Sequence, residues 1–76
     1  MKHSPWGKVD NEVKFARGLI WVETASHGGF LVGLGFADRF LTGAARARGK
    51  QWGSYLAYEE DCDCLIVLYE LPETRR

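Results

Sequence analysis

Seventy-six residues carrying no formal net charge, 46% of them hydrophobic, describe a single domain, residues 1–76, able to close one modest core. Three tryptophans and balanced charge exclude a disordered chain, and neutrality removes any global electrostatic drive toward nucleic acid or membrane. No apolar run is long enough to cross a bilayer, and Met1-Lys2-His3-Ser4-Pro5-Trp6-Gly7 lacks the apolar stretch of a secretory signal. An intracellular protein is expected.

Pro5 and Gly7 mark an irregular entry, with Trp6 placed to plug one end of the core. Residues 8–16 alternate, Val9, Val13 and Phe15 sharing one parity, which predicts a half-buried strand. Arg17-Gly18 is a turn signal, and residues 19–25 read as a second, more buried strand antiparallel to the first. Ser26-His27-Gly28-Gly29 breaks the pattern, and residues 30–34 read as a short third strand. From Phe36 the period becomes helical: Phe36, Phe40 and Ala44 recur beside Ala37, Leu41 and Ala47.

One helix is therefore expected over residues 36–48, with Gly43 placed to kink or split it. Gly49 is expected as the left-handed residue past its end, and Arg46 and Arg48 suit the negative end of its dipole. Residues 50–54 read as loop and 55–58 as a short strand. Residues 62–71 give the strongest strand signal, ended by Pro72, and 73–76 a frayed tail. The expected fold is α+β: an antiparallel sheet of three to five strands with one helix packed on a face.

Cys62 and Cys64 stand two apart, so a disulfide between them would close a strained loop, and they read as free thiols. Two thiols and the distant His3 and His27 lack the paired knuckles of a structural zinc site. No metal or other cofactor is expected. His27 beside two glycines has the look of a general base over an anion cradle, for which Cys62 or Cys64 with Glu60 would complete a catalytic set. A turn that needs glycine, with a structural histidine, accounts for the same residues. The expectation is that the protein is not an enzyme.

Charge is polarised along the chain. Arg39, Arg46, Arg48 and Lys50 face only Asp38 in their stretch, whereas Glu59, Glu60, Asp61 and Asp63 have no base among them. The acidic run follows Trp52, Tyr55 and Tyr58. It is either a solvated turn or an anionic patch that stands in for nucleic-acid phosphates. The basic run offers the rival reading, nucleic-acid contact by the outer helix face, or an ordinary charged face.

Ser4-Pro5-Trp6-Gly7, Thr24-Ala25-Ser26-His27-Gly28-Gly29 and Tyr58-Glu59-Glu60-Asp61-Cys62-Asp63, taken in order, resemble a short domain of unknown function carried by bacterial plasmids and phages. A small chain with such ancestry and an acidic segment is similar to the anti-CRISPR proteins of phages. That resemblance implies a monomeric, cytoplasmic inhibitor in the host bacterial cell, blocking target DNA binding by a type I CRISPR surveillance (Cascade) complex. Its partner is then a protein subunit of that complex rather than nucleic acid or membrane. The residues expected to meet it are Tyr58, Glu59, Glu60, Asp61 and Asp63.

Overall fold

Two hairpins and their return strands build the molecule. The computed structural model describes residues 1–74. Strands β1 (His3–Ser4) and β2 (Gly7–Lys8) form a small antiparallel hairpin, and β3 (Asn11–Ala16), β4 (Leu19–Glu23) and β5 (Gly28–Gly33) form a meander. Helices α1 (Leu34–Phe40) and α2 (Gly43–Arg48) follow, then β6 (Lys50–Trp52), β7 (Tyr55–Glu59) and α3 (Cys64–Glu70). A 3-10 turn, Pro72–Thr74, ends the described chain. The five-stranded sheet has the order β3-β4-β5-β7-β6 and is antiparallel throughout, as the expected α+β class requires.

Strand alternation gives the sheet two covered faces. Leu19, Phe30, Val32, Leu56 and Tyr58 point to the helix side, where they pack with Ala37, Leu41, Ala45, Cys64, Val67 and Leu71. Ile20, Val22, Leu31 and Ala57 point the other way, under Trp6, Val9, Trp52 and Tyr55. The expected plug is thus Trp6 on the second face, carried there by the first hairpin.

The greatest departure from the sequence reading is at residues 62–71, which form helix α3 instead of a strand. Cys64, Val67 and Leu71 are buried while Leu65 and Tyr69 are exposed, a helical spacing. A short apolar run does not distinguish a strand from a buried helix by period. The expected helix over 36–48 is two helices, broken at Leu41-Thr42, and Gly43 opens the second. Thr42 caps α2: its hydroxyl accepts from the Ala45 amide (3.1 Å) and donates to the Glu70 carboxylate (2.6 Å). The Thr42 amide donates to the same carboxylate at 2.9 Å, so Glu70 ties α3 to α2. Those bonds hold the Glu70 carboxyl below its usual range.

Residues 50–52, expected as loop, form edge strand β6. Gly53 has φ +59° at the first central position of a two-residue hairpin loop. Gly28 and Gly29 lie inside β5 rather than in a turn. In the tail, Thr74 is buried and its hydroxyl donates to the Leu71 carbonyl at 2.7 Å, so 73–74 are not frayed; 75–76 lie outside the described residues.

Gly49 is not left-handed; its φ is −79°. Space, not backbone angle, accounts for the glycine: a Cβ there would sit 2.7 Å from Tyr58 Cζ and 3.0 Å from Leu56 Cβ. The Tyr58 ring fills that gap, fully buried, and its hydroxyl donates to the Ala45 carbonyl at 2.8 Å. Burial, helped by the Glu70 and Asp63 carboxylates and opposed by Arg46, pushes the Tyr58 hydroxyl up to about 12 from 10.0.

Tyr58→Phe is expected to lower stability by about 1–3 kcal/mol, because the buried Ala45 carbonyl loses its donor. In the native protein Tyr58 keeps its proton over a range where the unfolded chain releases it. Its contribution is therefore complete below pH 10.0 and is lost as pH rises toward about 12. Urea unfolding between pH 8 and 12 checks both points; the phenylalanine variant should show a shallower alkaline decline.

Candidate functional site

The three sequence motifs, far apart in the chain, meet at one end of the sheet. Ser-Pro-Trp-Gly is the turn of the first hairpin, locked by Ser4: its hydroxyl donates to the Gly7 carbonyl (2.9 Å) and accepts from the Trp6 amide (3.2 Å). Gly7 takes φ +118°, which glycine alone adopts readily. Thr24 locks the second turn in the same manner, its hydroxyl donating to the His27 carbonyl (2.7 Å) and accepting from the His27 amide (3.0 Å).

Gly29 joins the segments. A Cβ on it would lie 2.7 Å from Trp6 Cη2 and would also strike the Tyr58 carbonyl of β7. Gly28 is similarly tight, its absent Cβ falling 2.6 Å from the Val22 carbonyl. The acidic motif continues the same ladder: Gly29 pairs with Glu59, and the Glu60 amide donates to the Gly28 carbonyl at 2.9 Å. His27 Nδ1 stands 3.7 Å from Glu59 Oε2.

At this end a recess of about 420 Å³ opens between the first hairpin and the β6–β7 edge. Trp6 and Trp52 are its aromatic walls, Ala57 and Glu59 come from β7, and Lys50, Gln51, Cys62 and Asp63 add polar lining. Both tryptophans are half-buried. Trp52 is steadied by Tyr55, the ring centroids lying 6.4 Å apart. Among the described residues no three histidine, cysteine or acidic side chains converge to hold a metal ion.

The expected partner-binding residues separate into two groups. Glu60 and Asp61 are exposed, and Glu59 and Asp63 are half-buried at the recess. Tyr58 differs: strand parity sends its ring into the helix-side core, where it is fully buried. Its side chain lies in the helix-side core, away from any partner surface. Cys62 is exposed beside the recess, whereas Cys64 is buried and its thiol donates to the Glu60 carbonyl at 2.9 Å. Burial first, then the carboxylates of Glu60, Asp61 and Asp63, push the Cys64 thiol up, away from the nucleophilic thiolate.

Charge separated along the sequence is interleaved in space. Arg48 reaches Asp63 (3.7 Å), and Arg46 faces Asp38 (3.8 Å) while donating to the Leu41 carbonyl (2.7 Å). Arg39 lies over the Phe40 ring, 5.5 Å from its centroid. Lys50 lines the recess. The four bases do not form one free face. The sequence reading set Trp52 beside the acidic run and Lys50 in the opposite, basic one, and did not bring the two together in a recess. The Trp52-Gly53-Ser54-Tyr55 hairpin signal could have placed them.

The three motifs lie within one match: residues 1–76 fit the model of a domain of unknown function, DUF7007. The chain belongs to the DUF7007 family. No curated protein and no solved structure matches it.

For the DUF7007 chain, Gly29→Ala is expected to cost about 1–3 kcal/mol or more, because the added methyl must displace both the Trp6 indole and the β7 backbone. Gly35→Ala is the control. Gly35 lies in α1 with nothing within 4 Å of its missing Cβ, so helix propensity should make the change neutral or stabilising by up to about 1 kcal/mol. Thermal melts of the two variants give the comparison.

Proposed function

We propose that this domain acts by binding, presenting the turn at residues 59–63 to a basic stretch of a partner protein. The observation that carries this reading is the position of Glu60 and Asp61. They project at the end where all three motifs meet, exposed and in no ion pair among the described residues. Glu59 and Asp63 flank them at the recess, extending the negative surface. Carboxylates in such an array attract lysine and arginine rows, and in doing so compete with nucleic-acid phosphates.

The narrower form of the proposal is inhibition of a type I CRISPR surveillance complex, with these carboxylates lying where target DNA would. Resemblance to the anti-CRISPR proteins of phages supports that form. No helix among the described residues is long and apolar enough to cross a membrane.

Glu60→Gln with Asp61→Asn removes charge and preserves shape. Binding to purified Cascade complexes, followed by biolayer interferometry with target DNA as competitor, should weaken about tenfold or more. Wild-type binding should also fall as salt rises, since exposed charge is screened over ~8–10 Å. Arg39→Glu should leave affinity nearly unchanged. Loss of binding in the arginine variant alone, or direct binding of the wild-type protein to DNA, would move the interface to the basic helix residues.

A further inference from the structure

We infer that the recess between Trp6 and Trp52 seats an arginine side chain of the partner. This rests on the reading of a basic partner and assigns the particular group that is recognised. A guanidinium is planar and weakly hydrated, stacks on indole faces, and directs its N–H donors in a fork toward carboxylates. The recess supplies both elements: two indole walls, and the carboxylates of Glu59 and Asp63.

Each carboxylate has a neighbour at ion-pair distance, His27 for Glu59 and Arg48 for Asp63, but hydrogen-bonds to neither. Glu59 stands 3.7 Å from His27, and Asp63 stands 3.7 Å from Arg48. Both separations exceed hydrogen-bond range, so lone pairs remain for an incoming donor. The volume, about 420 Å³, is within the range of specific ligand pockets and admits the aliphatic stem along with the head. An ammonium would be held less well, because it is strongly hydrated and cannot lie flat on an indole.

Lys50 gives the site its most direct test of sign. It lines the same recess, so an arriving cation meets two carboxylates, the Lys50 ammonium and, beside Asp63, the Arg48 guanidinium. Lys50 is exposed, and its replacement should leave the fold intact. If the ligand is a cation, removing this charge strengthens binding. If the ligand is an anion, removing it weakens binding.

The probe is a short basic peptide with one central arginine, beside versions carrying lysine or the uncharged isostere citrulline there. Indole N–H signals of the intact protein are followed by NMR. The arginine peptide should shift the Trp6 and Trp52 signals, the citrulline peptide should bind about tenfold more weakly, and the lysine peptide should fall between. Lys50→Met should tighten the arginine peptide about threefold, and Glu59→Gln should weaken it.

Binding that leaves both indoles unmoved, ignores Lys50→Met and is lost only with Glu60→Gln and Asp61→Asn would overturn the arginine seat while keeping the basic-partner reading. Weaker binding on Lys50→Met, or displacement of the indole signals by inorganic phosphate in place of the peptide, would make the recess an anion site and also overturn the inference. Failure of every basic peptide to bind would overturn both.

Discussion

Closest approach at Gly29 organises the molecule. The space its missing Cβ would take is filled by the Trp6 indole and by the Tyr58 carbonyl of β7. Only a residue with no side chain leaves room for both. With Trp6 seated there, the second face of the sheet is dry, and Ile20, Val22, Leu31 and Ala57 are buried beneath the first hairpin. A sheet covered on both faces is what allows so short a chain a workable core. The same indole forms a wall of the recess, so the contact that completes the fold also shapes the candidate site.

On the opposite face the helices are too short to stand alone. With six or seven residues each, they fall well below the length at which isolated helices persist in water. Tertiary contacts hold them. Tyr58 rises from β7 to the Ala45 carbonyl, Gly49 leaves space for its ring, and Glu70 clasps Thr42 at the start of α2. Strand β7 serves both faces through its alternation: Leu56 and Tyr58 enter the helix-side core, while Ala57 and Glu59 face the recess. The buried tyrosine and the site carboxylate are adjacent in sequence and opposite in space.

The fold also changes the meaning of the charges. A basic run ending at Lys50 and an acidic run beginning at Glu59 suggest two opposed patches. Instead, Arg48 leans on Asp63 and Lys50 shares the recess with Glu59. What remains is a small negative projection at Glu60 and Asp61 beside a mixed-charge, aromatic-walled recess. Charges so interleaved produce no broad steering field, and the proposed binding is a local electrostatic contact.

Much was legible in the residues themselves. Alternation at Val13 and Phe15, the Arg17-Gly18 turn and the apolar run after it determine the β3–β4 hairpin, because period and turn chemistry are local properties. The spacing of Phe36, Phe40 and Ala44 likewise determines helical structure ahead of Gly49. Where that structure breaks, and whether residues 64–70 coil or extend, was decided only in three dimensions. The inner positions of the sheet are already occupied by β5 and β7, so the apolar run beginning at Cys64 is buried by coiling onto the helix-side core. Tyr58 passed from expected contact residue to core residue for a related reason: strand parity assigns a face, and only the packing of Ala45 and Gly49 decides which face is interior. The recess belongs wholly to tertiary structure, because Trp6, Trp52 and Glu59 lie on three different strands or turns and become neighbours only when Gly29 lets the first hairpin down onto the sheet.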